Sequence, residues 1–196
     1  MVPVVQKAGA AEIETTTSVI ARAFADDPVA MWIFGSPELF QKALRILMKD
    51  VYLPRGFVTQ VENKGASMWL PPGASNDLTL WALLRFISSI VPGAGFDPIL
   101  RSLKAADRMD SLKPKEPFLY LFAIGVDPSA QGQGLGSLLI KDGLRLADAE
   151  GMPAYLESSK RENIPLYERH GFEVVEEARI ADDAPQFWPM LRQPRS

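Results

Sequence analysis

The apolar positions change rhythm along the chain, and each rhythm predicts an element. Short apolar or alternating segments at residues 2–7, 57–62 and 66–70 read as strands, the last two joined by a turn at Asn63-Lys64-Gly65. Residues 11–25 carry Ile13, Val19, Ile20, Ala23 and Phe24 at helical spacing. Asp26-Asp27-Pro28 stops that helix, because the residue before a proline disfavours the α region. A second helix opens at Ser36-Pro37, with Ser as N-cap and Pro at the first helical position. Its stripe is Leu39, Phe40, Leu44, Leu47, Met48 and Val51. Two further helical segments, 77–91 and 97–109, are separated by Pro92-Gly93-Ala94-Gly95.

After residue 116 the pattern tightens. Residues 117–126 (PFLYLFAIGV) form an almost unbroken apolar run, the mark of a central strand buried on both faces. Residues 135–150 are helical in spacing, Gly151-Met152-Pro153 ends them, and 154–158 form a second buried strand. Strand, helix and strand at this length predict a right-handed crossover between two parallel strands. A short helix at 164–170 ends at Gly171, and strands at 172–176 and 187–191 complete the chain. The fold class expected is α/β (α+β), a mixed sheet with flanking helices and a helical insertion between the third and fourth strands. No linker or repeat interrupts it, so residues 1–196 are expected to form one domain.

Composition narrows the function. With 196 residues, 47% of them hydrophobic and 23% charged, the chain has a globular balance. A chain of this mass buries about 70% of its surface on folding, which needs no disulfide or metal. A net charge of −3 without a basic stripe argues against a nucleic-acid partner. Zero Cys and a single His, His170, exclude cysteine nucleophiles, thiolate zinc sites and histidine clusters, so no metal is expected. A Ser/His/Asp triad would have to use His170, and no G-x-S-x-G elbow accompanies it. No basic region precedes an apolar run at the N-terminus, so no signal peptide is visible. The most apolar stretch, residues 78–91, contains Arg85 and falls short of the roughly 20 residues a bilayer core requires. A cytoplasmic protein without a membrane partner is the expectation.

The segment that carries chemistry is VDPSAQGQGLGS, residues 126–137. Three glycines at alternate positions between a buried strand and a helix leave amides bare. A helix start also carries about half a positive charge, so the segment suits a phosphate or pyrophosphate. It is not a P-loop, because no Lys follows the glycines. As a dinucleotide fingerprint it lacks the third glycine, which is Ser137 here, though Glu157 stands about 20 residues on, where a ribose-binding acid belongs. A nicotinamide-dependent oxidoreductase therefore remains an alternative at this stage.

Gln131-x-x-Gly134-x-Gly136 after Val126-Asp127-Pro128, followed by Asn163 and then Tyr167-Glu168-Arg169-His170-Gly171-Phe172, resembles the GNAT superfamily of N-acetyltransferases in order and spacing. Lys113-Pro114-Lys115-Glu116-Pro117 and the helical insertion are similar to its puromycin N-acetyltransferase-like branch, as are Asp26-Asp27-Pro28 and Met68-Trp69-Leu70-Pro71-Pro72.

The resemblance implies a GNAT fold whose middle strands splay, acetyl-CoA as acyl donor, and transfer of the acetyl group to a primary amine of a small molecule. It implies that Gln131, Gly132, Gln133, Gly134, Leu135, Gly136 and Ser137 hold the pyrophosphate. Ile124, Gly125 and Val126 would pair with the pantetheine arm, and Asn163 would touch it. Tyr167 would contact the cofactor and protonate the leaving thiolate. An amine with a pKa near 10.4 needs a base. Many members carry a Glu in the strand equivalent to residues 117–126, and this chain has none; Glu157, on the next strand, is the candidate base. His170 reads as a helix-end cation instead. Lys141 and Arg145 are placed to attract the ribose phosphate or to form a wet helix face. Trp32, Trp69, Trp81, Trp188 and Tyr52 are candidate walls for the acceptor. Without Cys, attack runs directly on the thioester in a ternary complex. A non-catalytic acyl-CoA-binding module is a further alternative, and the protein is expected to be a monomer or homodimer.

Overall fold

The computed structural model describes residues 3–195, and its sheet is organised around one seam. The strands are β1 (Val5–Lys7), β2 (Phe57–Val61), β3 (Gly65–Leu70), β4 (Leu119–Val126), β5 (Ala154–Ser158), β6 (Glu173–Val174), β7 (Ala178–Arg179) and β8 (Gln186–Arg192). They lie in the order β1-β2-β3-β4-β5-β8-β6, with β7 also pairing β8. Every pairing is antiparallel except β4 with β5. The helices are α1 (Ile13–Ala23), α2 (Pro28–Phe34), α3 (Pro37–Leu47), a short α4 (Leu53–Arg55), α5 (Leu80–Ala94), α6 (Asp97–Leu112), α7 (Leu135–Ala149) and α8 (Ile164–Glu168).

The caps follow from the sequence. Ser36 Oγ accepts from Leu39 N–H at 3.3 Å and Pro37 opens α3. The same logic, unrecognised in the sequence reading, operates at Asp27-Pro28. Asp27 Oδ1 accepts from Ala30 N–H at 2.9 Å, so the expected helix stop is also the start of α2. The break expected at 92–95 is displaced: α5 runs through Pro92 and ends at Gly95, whose φ of +69° closes the helix. A proline in the last turn removes only one ladder bond, and burial of Ile90 and Phe86 holds the helix together.

Other expected boundaries also move. The first strand begins at Val5; Val2 lies outside the described residues. The helix expected at 164–170 ends at Glu168, because Gly171 at φ +89° and a set of i→i+3 turns close it early. The strand expected at 172–176 shrinks to β6, and β7, too short to show a period, joins β8 beyond it.

Core residues fill both faces. Ile20, Leu44, Met48, Tyr52, Met68, Tyr120, Ala123 and Tyr155 pack under α1, α2, α3 and α5 on one side. Trp69, Leu119, Leu121, Ile140, Leu144, Leu156, Tyr167 and Phe172 pack under α7 and α8 on the other. Alternation along β4 and β5 produces this division, since successive side chains point to opposite faces. No helix among the described residues is long and apolar enough to cross a membrane.

The seam lies between β4 and β5. Their parallel pairing covers Leu119–Leu121 against Ala154–Leu156 and goes no further. On the other edge of β4 the register shifts: Trp69 pairs Leu121 and Met68 pairs Ala123, leaving Phe122 as a surplus residue. A bulge bends its strand and resets its parity. Asp127 N–H bonds Lys64 O at 2.7 Å across the β3 edge, so alternation turns the backbone groups of Val126 and Ile124 to the opposite edge. That is the edge β5 has left.

Candidate active site

A cleft of ≈ 1190 Å³ opens along the seam, and its walls come from β4, β5, the loop before α7, α8 and the α1–α2 turn. At one end, Gly132 and Gly134 take left-handed φ (76° and 80°), with open space where a Cβ would stand. The α7 ladder starts with Leu138 N–H on Gly134 O at 3.1 Å. The N–H groups of Leu135, Gly136 and Ser137 therefore have no acceptor within the helix. Asp127 anchors the loop by accepting from Ser129 Oγ (2.6 Å), Ser129 N–H (3.0 Å) and Arg22 Nε (2.8 Å). Those donors hold its carboxyl down at about 2. Gln131 Nε2 reaches Val126 O at 3.3 Å. Such a cradle of free amides at a helix start matches the chemistry of a diphosphate.

Of the residues assigned in the sequence to the coenzyme and the proton transfers, all line the cleft except Gln133, which is exposed at the loop tip. Ile124, Gly125 and Val126 form the β4 edge. Gly125 is needed there because a Cβ would lie 2.9 Å from the Ala23 methyl of α1. Asn163 sits at the start of α8, and buried Tyr167 projects from its second half, braced edge-on by Phe172 with ring centres 6.1 Å apart. Burial and, to a lesser degree, the nearby Asp27 carboxylate push the Tyr167 hydroxyl well up, so it stays protonated.

Glu157 projects from β5 toward the face opposite Tyr167. Tyr120 Oη donates to its Oε2 at 2.7 Å, and its Oε1 is buried without a partner. Desolvation pushes this carboxyl up to about 7 against the opposing pull of Tyr120, Lys113 and Tyr155. Asp27 is also raised, mainly by burial. Its second oxygen accepts from Ser159 Oγ, while Asp26 pairs with Lys160. This hydrogen bond and ion pair tie the α1–α2 turn to the loop after β5 along the cleft wall.

Of the aromatic candidates only Trp188 lines the cleft. Trp69 is core, Tyr52 stacks on Phe122 at 4.9 Å, Trp81 is exposed, and Trp32 lies under the Arg101 guanidinium. Phe24, Phe122, Pro185 and Gln186, which sequence reasoning left out, join Trp188 as cleft walls. His170 faces away, 3.0 Å from Ser137 Oγ, in a separate hollow with Lys141 and Arg145. Burial and the neighbouring Lys and Arg charges lower its pKa.

Residues 94–172 match the Acetyltransferase (GNAT) family. An uncharacterized N-acetyltransferase, C550.08, of Schizosaccharomyces pombe is 31% identical over 182 residues, covering 83% of this chain and 71% of that protein. A mycothiol acetyltransferase of Thermomonospora curvata is 43% identical over 60 residues, which are 29% of this chain and 20% of that protein. Among solved structures, histone acetyltransferase HPA2 and related acetyltransferase from Corynebacterium glutamicum superposes with a TM-score of 0.74 at 23% identity, covering 100% of this chain and 98% of that one.

Proposed function

The chain belongs to the acetyltransferase (GNAT) family and is an N-acetyltransferase, and we propose that it moves the acetyl group of acetyl-CoA onto the primary amine of a small molecule by direct attack in a ternary complex. One observation carries this reading: Glu157 and Tyr167 face the same cleft from opposite sides of an opened β4–β5 pair, with the glycine cradle at its end.

In this scheme the amides of Leu135, Gly136 and Ser137, with Gly132 and Gly134 giving the loop its shape, grip the diphosphate. The backbone groups of Ile124 and the N–H of Val126 pair with the pantetheine arm as a missing strand would, beside Asn163, while Gln131 holds the Val126 carbonyl. The Val126 N–H donates to the thioester oxygen as charge develops; donors of this kind are worth roughly 3 kcal/mol each. Glu157 takes a proton from the attacking amine on its free Oε1. Tyr167 returns a proton to the departing sulfur. Where many members carry a Glu on the strand equivalent to β4, this chain has none, and the carboxylate on β5 fills the need.

The acceptor end supports a compact amine. Phe24, Phe122, Pro185 and Trp188 offer apolar walls, while Asp26 is paired with Lys160. The nicotinamide alternative loses its support: the acid it required is engaged by the Tyr120 hydroxyl, and the relatives are N-acetyltransferases.

The test is a free-thiol release screen with acetyl-CoA and primary amines, including aminonucleosides, arylalkylamines and polyamines, followed by initial-rate patterns. Intersecting double-reciprocal lines support the ternary complex. Acetyl-CoA binding without thiol release across the panel would leave a binding module instead.

A further inference from the structure

Resting on the reading of Glu157 as the base, we propose that Lys113 and Tyr120 are positioning residues for it, so that the helical insertion acts on the chemistry through a Lys113–Tyr120–Glu157 chain. Neither residue belongs to the glycine cradle or the family's acid, and the insertion from α5 to α6 adds no strand to the sheet.

The geometry supplies each link. Lys113 caps α6 in extended conformation because Pro114 follows it. Asp110 holds its ammonium at 2.6 Å, and the Nζ sits 4.5 Å from the centre of the Tyr120 ring. A cation over a phenol is attracted to the ring face and draws electron density from it, which strengthens the O–H as a donor. That donor is spent on Glu157 Oε2 at 2.7 Å. With one oxygen fixed, the carboxylate cannot rotate freely, and Oε1, buried without a partner, is the atom left for an incoming amine.

The other groups around the carboxylate act less strongly, Tyr155 ranking behind Tyr120 and Lys113. Tyr52 faces it from the turn after α3 and Tyr155 from its own strand, with the Tyr155 hydroxyl unpartnered. Asp110 adds only a like charge. Lys113 is thus the cation, and Tyr120 the hydrogen-bonded donor, that favour the ionised form a base requires.

The experiment is a carboxyl-carbon NMR titration of protein labelled with carboxyl-¹³C glutamate, with Glu157→Gln assigning the signal. It needs no acceptor. The expected midpoint for Glu157 is about 7 in the unaltered protein. Tyr120→Phe and Lys113→Met should each raise it by about half a unit to one unit, and Lys113→Arg should restore it. Lys113 lies at a helix end, so its variants keep the test valid if Tyr120→Phe loosens the core. Unchanged midpoints in Tyr120→Phe and Lys113→Met overturn the chain of influence while leaving the base reading in place. A midpoint in the unaltered protein that coincides with exposed glutamates overturns the base reading, and this inference with it.

Discussion

Glu157 and Tyr167 stand on opposite faces of one sheet yet open into one cleft: the first shares its face with Tyr120 and Tyr155, the second with Leu119, Leu121 and Leu156. A nucleophile entering from one face and a leaving group departing on the other need two proton carriers so arranged. Glu157→Gln should lower kcat by about 10²–10⁴-fold. In the unaltered enzyme kcat/KM should climb with pH to a plateau, with a midpoint near the value of about 7 set by burial of Glu157. A pH–rate profile that keeps this limb in Glu157→Gln would assign the base elsewhere.

Tyr167→Phe keeps the ring that packs on Phe172 and removes only the hydroxyl. Turnover should fall by about tenfold or more, as expected of a lost general acid, with acetyl-CoA affinity unchanged. Calorimetric titration beside steady-state rates checks the split. Equal turnover would remove Tyr167 from proton transfer.

The raised Glu157 pKa also predicts a pH effect on folding. Its folded-state value, about 7, lies above the unfolded value of 4.5, so the folded state binds the proton more tightly. That contribution to stability is fully present below the unfolded value and is lost as pH rises through 7. The melting temperature of Glu157→Gln should therefore gain a few degrees on that of the unaltered protein between pH 5 and pH 8. Parallel melting curves across that range would contradict it.

Gly134 has a φ of +80°, and no protein atom lies within 4 Å of the position a Cβ would take. Gly134→Glu therefore strains the turn and places an anion at the diphosphate cradle without displacing the core. Acetyl-CoA affinity should drop by at least about tenfold, since 1.4 kcal/mol of strain or repulsion suffices for that factor. Binding by calorimetry, with circular dichroism as the check on folding, reads the result.

Gly143 lies directly under the Trp69 indole, whose ring atoms would stand 2.3 Å from an added Cβ. Gly143→Ala should destabilise by about 1–3 kcal/mol through overpacking, outweighing the better helix propensity of alanine. Chemical denaturation gives the value directly. A stability gain would show that α7 slides more easily than its packing implies.

The sequence disclosed the parts of this protein governed by local rules. The apolar run that became β4, the glycine loop, the N-cap at Ser36 and the parallel crossover are all visible as periodicity or punctuation. The Tyr167 and Asn163 placements came from motif spacing. What escaped depended on partners distant in the chain. Tyr120 sits in a run so uniformly apolar that its hydroxyl gives no signal, and its bond to Glu157 spans 37 positions. Asp27 read as a terminator because Pro28 disfavours the α region before it, although the same pair suits a helix start. Gln133 was included by proximity in a loop whose tip turns outward.

The surplus residue at Phe122 has a consequence for how this site can vary. Before it, odd-numbered positions of the strand aim their peptide groups at β5; after it, even-numbered ones do. Removing one residue there would leave Ile124 and Val126 on the β5 edge but take away the bend that accompanies the end of the parallel pairing at Leu121. Side chains around the gap can be exchanged one at a time, but the extra residue that bends the strand is either present or absent.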